Sequence, residues 1–195
     1  MDTDSGFRIA RLGVPPLWFV IYAAFTVRVM LHLTGRRPGA IPVAMAALAS
    51  FLVMPEFYPA RIDHHNVQLV LMMALSLGLV SPHRHAGLLV GLASFLSIAV
   101  GLECTPFIAI ALIGLGLVAV WTGEAGHIHR FSQAGLSLGL LTLPGSLMLI
   151  GSTGVGQVYC DALSAPWILA LSAGGWVIAL APQLWGISAF SSRAA

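Results

Sequence analysis

The sequence predicts an all-α, polytopic membrane protein. It is 58% hydrophobic and only 8% charged, and its mean hydropathy is +0.92. A soluble globular domain carries about 25% charged residues. Its apolar residues also fall into long runs rather than alternating, and a helix that crosses the hydrocarbon core needs about 20 mostly apolar residues. Seven such runs are present, roughly 14–33, 39–58, 66–80, 86–101, 105–121, 135–151 and 166–186. The chain is read as one transmembrane domain over 1–195, with no soluble domain and no useful repeat.

The first run is too long for a signal peptide, and no small-residue cleavage site follows it directly. The third is short, and could extend back through the polar segment before it or enter the membrane part way. The fourth and fifth are split at Gly101-Leu102-Glu103-Cys104-Thr105-Pro106, because Pro106 removes a helix donor. Fused, they would be too long for one crossing. Gly78, Gly87 and Gly91 are small enough to let helices pack closely. Cys104 and Cys160 lack metal-type spacing and read as small apolar residues; a disulfide between them requires both to face an oxidising side.

Seven crossings place alternate loops on opposite sides. The side of the N-terminus receives Arg8, Arg11 and Arg61, and the other side Arg36, Arg37, Arg84, Arg130 and Arg193. Arg28 lies near the far end of the first helix and can snorkel toward that same second side. The positive-inside rule makes the second side cytoplasmic. Asp2, Asp4, Glu56, Asp63, Glu103 and Asp161 then face outward, and only Glu124 faces inward. His32, His83, His85, His127 and His129 fall on the inner side, where they read as interfacial polar residues.

The most polar segment is Arg61-Ile62-Asp63-His64-His65-Asn66, set between two apolar runs. Ionisable groups at a membrane boundary are functional candidates. Asp63 and His65 are an acid and an imidazole two positions apart, which suits a divalent cation such as Mn²⁺ or Mg²⁺. His64 could point away from His65 and orient a phosphate. Arg61 could hold a pyrophosphate in its guanidinium fork. Further ligands would have to come from elsewhere, with Glu103 the first candidate and Asp2 and Asp4 weaker ones. Asp63, followed by Asn66 and an apolar run, is equally a helix-start signature. Asn66 and Gln68 read as helix-end polar groups, and Asp161 as a loop acid. Gly151, Gly154 and Gly156 do not make a phosphate loop, since no strand precedes them.

Ala60-Arg61-Ile62-Asp63-His64-His65-Asn66 resembles the Asp-His-His segment of oligosaccharyltransferase catalytic subunits, in the C-type, polyprenyl-phosphate-dependent membrane glycosyltransferases. The resemblance covers about residues 55–110; Gly101-Leu102-Glu103 with Pro106-Phe107 also looks like a block of bacterial relatives. It implies that Asp63 and His65 hold a divalent cation beside a lipid-linked sugar donor, on the outer face of a bacterial-type plasma membrane. From the residues and the topology rather than from the resemblance, Asp63 and Glu103 are the candidate catalytic carboxylates, and Arg61 and His64 the candidate phosphate contacts. The implied partners are membrane lipid and a polyprenyl-phosphate-linked sugar; nucleic acid is not expected. The chain departs from the family in having fewer helices, no earlier acidic loop and no Trp-Trp-Asp signature, as a fragment or a reduced relative would.

Two other classes fit the same composition. A metal or proton transporter would use membrane-depth Asp and His, yet its relay candidates within helices are only Ser76, Ser94, Ser97, Ser137 and Thr142. A non-catalytic assembly protein, or an inactive transferase remnant, fits the abundance of small residues in the helices.

Overall fold

The computed structural model describes residues 3–35, 39–61, 63–159 and 161–184. These residues form seven α-helices and no strand: α1 Thr3–Thr34, α2 Ala40–Val53, α3 His64–Val80, α4 Ala86–Val100, α5 Thr105–Thr122, α6 Ala125–Val155 and α7 Ala165–Leu184, with a 3-10 turn Met54–Phe57 after α2. Five stretches are long and apolar enough to cross a membrane: Gly6–Thr34, Ala40–Phe57, Thr105–Thr122, Ala125–Val155 and Ala165–Leu184. The protein is a helical, multi-pass membrane protein. At about 1.5 Å per residue, α3 (17 residues) and α4 (15 residues) are shorter than the roughly 30 Å hydrocarbon core. Asp2, Arg36, Arg37, Cys160 and Arg193 lie outside the described residues, as does the side chain of Asp4. Three arginines in the side count, and the question of a Cys104–Cys160 disulfide, therefore lie outside them too.

Two helices differ from their hydropathy runs. α1 begins at Thr3, ahead of the expected residue 14, and carries Pro15 and Pro16 inside it. α6 begins at Ala125, ten residues before the expected 135. Those residues include His127, His129, Arg130 and Gln133, which lower hydropathy without opposing helix formation. Its other end matches the expectation: Gly151, at φ 69° and ψ 174°, interrupts the helix there. A residue with a Cβ would resist that left-handed φ.

The chain divides into two compact units, Met1–Ser81 and Pro82–Ala195. In the first, α1 packs against α3 and α2. The core is Tyr22, Phe57 and Val70, ringed by Trp18, Phe19, Phe25, Val53, Leu69 and Met73. Phe57 has both Phe19 and Tyr22 at 5.5 Å between ring centroids, which anchors the 3-10 turn on α1. α2 has no buried residue; Leu48, Phe51 and Leu52 are exposed, as expected of a surface solvated by lipid tails.

In the second unit α6 packs against α4, α5 and α7. The α6–α7 seam is backbone on backbone. A methyl group added at Gly175 would meet the Gly139 nitrogen and lie 2.7 Å from its Cα, and one at Gly135 would meet the Ala179 nitrogen. The α4–α6 seam uses Gly87 and Gly91, two of the glycines singled out from the sequence. A methyl at Gly87 would lie 2.7 Å from the Gln133 Cβ, and one at Gly91 would overlap Ser137 and Ala134. Ser137 Oγ donates across that seam to the Leu88 carbonyl at 3.0 Å. Close approach of small residues replaces the hydrophobic drive that lipid removes.

Three of the five hydroxyls that a relay would need are engaged within their own helices. Ser76, Ser94 and Thr142 donate to the carbonyls one turn back, Met72, Val90 and Leu138, at 2.9, 2.8 and 2.6 Å. Such back-bonding satisfies a polar side chain inside its own helix.

Candidate functional site: the start of α3

The loop between the 3-10 turn and α3 is held from three directions, beginning in α1. Pro15 has no N–H, so the Arg11 carbonyl four residues earlier has no helical donor. Ala60 N–H supplies it at 2.7 Å. Ala60 takes a left-handed φ of 71° to do so. From α3, Asn66, only 2% exposed, donates through Nδ2 to the Arg61 carbonyl at 3.1 Å. Within the loop, Arg61 N–H closes a turn on the Tyr58 carbonyl at 3.0 Å.

Asp63 is the N-cap of α3. Its backbone is extended (φ −129°, ψ 147°) and its carboxylate accepts from the His65 N–H at 3.4 Å, a long cap bond. The helix-start reading of Asp63 thus describes its structure. The same Oδ1 lies 2.9 Å from His64 Nδ1. The His64 and His65 rings meet edge to face, their centroids 4.2 Å apart. The expectation that His64 could turn away from His65 is not what the structure shows. Both imidazoles crowd the same carboxylate because the backbone bends sharply into the first helical turn.

One ligand atom from each of Asp63, His64 and His65 falls in a group spanning at most 4.8 Å. Asp63 is partly exposed and both histidines are exposed. Desolvation pushes the Asp63 carboxyl up, but the His65 N–H and the charges of His65, His64 and Arg61 outweigh it and hold the group below the usual carboxylate range. The carboxylate is therefore ionised at neutral pH and able to ligate.

The donor set can be tested against a cation. Ligands sharing an octahedral ion at about 2.1 Å sit about 3.0 Å apart, close to the 2.9 Å between Asp63 Oδ1 and His64 Nδ1. One carboxylate with two imidazoles favours a transition metal such as Mn²⁺ or Zn²⁺ over Mg²⁺, which prefers oxygen. The positive end of the α3 dipole opposes a cation by up to about 1 kcal/mol. Asp63 is then the ligand that must supply the attraction.

Arg61 is already paired. Its Nη2 contacts Glu56 Oε2 at 2.8 Å and its Nη1 reaches the Pro55 carbonyl at 3.4 Å. A phosphate must compete with Glu56 for that fork. Glu56 was not singled out from the sequence. The signal was its spacing: an acid five residues before Arg61, across a segment that holds Pro59 and folds through the Tyr58 N–H to Pro55 carbonyl and Arg61 N–H to Tyr58 carbonyl turns.

Glu103 belongs to the second unit, exposed at the turn between α4 and α5. There its charge adds to the burial that pushes the Cys104 thiol up, against a Ser97 hydrogen bond that lowers it. Cys104 is a free cysteine. Asp161 is exposed in the loop before α7. Gln68, read as a helix-end group, is buried at 3% exposure one turn inside α3.

The chain matches no family model, no curated protein and no solved structure.

Proposed function

We propose that this chain is a membrane glycosyltransferase-like protein. It would move a sugar or oligosaccharide from a polyprenyl-phosphate-type lipid donor to an acceptor at the outer membrane face, with a divalent cation at the start of α3. The observation that carries the reading is the convergence of Asp63, His64 and His65 within 4.8 Å, beside an arginine whose partner can be exchanged. The resemblance of 60–66 supplies the substrate class.

In this reading Asp63 and the two imidazoles fix a cation such as Mn²⁺ or Zn²⁺. Bound there, it would neutralise charge on the departing phosphate as a Lewis acid. His64 changes role from phosphate contact to ligand, because its Nδ1 already faces the carboxylate. Arg61 leaves Glu56 and binds phosphate oxygens, adding charge where it develops. The bond from the sugar C1 to the phosphate oxygen breaks, and one from C1 to the acceptor oxygen or nitrogen forms. The acceptor proton leaves to a base that the Asp63 cluster does not itself provide.

The test is sugar transfer from a lipid donor in proteoliposomes, with and without a chelator and added Mn²⁺. Transfer should need the cation, and Asp63→Asn with His65→Ala should lower it by about a hundredfold or more. Unchanged transfer in that double variant would sink the mechanism.

A further inference from the structure

The second unit carries a polar cluster where the start of α4 meets the early turns of α6. Gln133 is 7% exposed. Its amide nitrogen lies 2.9 Å from His129 Nε2 and 3.4 Å from His85 Nδ1. His129 and Gln133 stand one turn apart on the same face of α6, and His85 is the N-cap residue of α4. The lack of a side chain at Gly87, where a methyl would lie 2.7 Å from the Gln133 Cβ, lets the two helices reach this spacing. With the amide NH₂ toward the rings, the imidazole nitrogens accept from it; with the amide oxygen toward them, that oxygen meets the same two nitrogens.

Gln133 Oε1 is buried with no hydrogen-bond partner. A buried carbonyl left this way forfeits the hydrogen bonds that water would give it. Around one side chain there are thus three lone-pair donors: His85 Nδ1, His129 Nε2 and Gln133 Oε1. No acid or hydroxyl proton among the described residues answers that oxygen.

Turning the amide over exchanges its oxygen and nitrogen. Oε1 would then stand about 2.9 and 3.4 Å from the two imidazole nitrogens. Ligands sharing one ion at 2.0–2.1 Å are about 3.0 Å apart in an octahedron and about 3.4 Å in a tetrahedron. The two distances from the Gln133 amide to the imidazole nitrogens match such edges. Two imidazoles with one amide oxygen suit a borderline ion such as Zn²⁺. Arg84 and Arg130 neighbour the histidines in sequence, so coordination by neutral imidazole rather than net charge must hold the ion.

We propose that His85, His129 and the Gln133 carbonyl form a transition-metal site of the Zn²⁺ class in the second unit, independent of the Asp63 cluster. Water completes its coordination. His127 takes no part: its Nδ1 faces Thr122 Oγ1 at 3.0 Å and Glu124 at 3.4 Å.

The experiment titrates Zn²⁺, and Co²⁺ as a spectroscopic probe, into purified full-length protein without a histidine tag. The background is Asp63→Asn with His64→Ala and His65→Ala, so failure of the α3 reading does not touch the result. That protein should retain one zinc site. His129→Ala and His85→Ala should each weaken it by about a hundredfold and abolish the Co²⁺ bands, and Gln133→Leu should weaken it by about tenfold. Circular dichroism checks that each variant is folded, and Gln133→Glu, which keeps an oxygen ligand, should retain binding. The proposal is overturned if the background protein binds no zinc, or if zinc persists in the His85→Ala, His129→Ala double variant. Loss of zinc in His127→Ala alone would overturn it as well.

Discussion

The Ala60 N–H donates to the Arg11 carbonyl at 2.7 Å, and that carbonyl is free because Pro15 cannot donate to it. A proline inside α1 thereby fixes the loop that presents Asp63. Pro15→Ala restores the helical donor and should release Ala60. Amide exchange at Ala60 should quicken about tenfold or more while α1 itself is not weakened. Hydrogen exchange read by mass spectrometry or NMR in detergent checks this; unchanged protection at Ala60 would refute it.

Asp63 combines a structural and a ligating role, and two substitutions separate them. Asp63→Ala loses the cap and should lower the thermal midpoint. Asp63→Asn keeps a capping oxygen, so its thermal midpoint should stay near the parent's while Mn²⁺ binding is lost. Equal metal affinity in Asp63→Asn and the parent would remove Asp63 from the site.

The acid side of the stability curve follows from the Asp63 carboxyl being held below its ordinary range. Its folded-state value lies under the unfolded one. The stabilisation is complete above the unfolded value and disappears as pH falls through the folded one. The difference in thermal midpoint between parent and Asp63→Ala should therefore shrink on acidification through the ordinary carboxylate range. A difference that grows in acid would contradict the sign.

Glu56 restrains Arg61, whose side chain is 43% exposed against 28% for Glu56. An ion pair this exposed contributes under about 1 kcal/mol, so Glu56→Gln should change stability little. It should instead tighten binding of a polyprenyl-phosphate donor, because the guanidinium no longer has to leave a carboxylate. Arg61→Ala should weaken the same binding. If Glu56→Gln weakens it, Glu56 is a positioning group for Arg61 rather than a competitor.

The α6–α7 seam tolerates no side chain at Gly175, where a methyl would come 2.7 Å from the Gly139 Cα. Backbone must move to admit even alanine. Gly175→Ala should cost about 1–3 kcal/mol, and Gly175→Leu more. Gly174→Ala, on the next residue with open space around it, is the matched control. Similar midpoints for the two alanine variants would refute the seam.

Hydropathy marked all seven helices because lipid demands apolar runs, and it placed most boundaries within a residue or two. It failed where polarity and helicity part company. The first turns of α6 hold His127, His129 and Arg130, which lower hydropathy but leave the backbone helical. The Asp63 cluster was visible as local sequence, since its three residues are adjacent. The Gln133 cluster was not: His85 and Gln133 are 48 positions apart and meet only because Gly87 allows α4 onto α6. Arg61's partner was missed for a similar reason, as the intervening turn folds Glu56 back upon it.

The contrast between the glycine seam and α2 sets an order of disassembly. α2 has no buried residue, so mild extraction from the bilayer should detach it first and leave the remaining helices in register. The α6–α7 pair is joined by contacts that lipid tails are too bulky to imitate. It should be the last to separate and the earliest to form, a folding nucleus made of absent side chains.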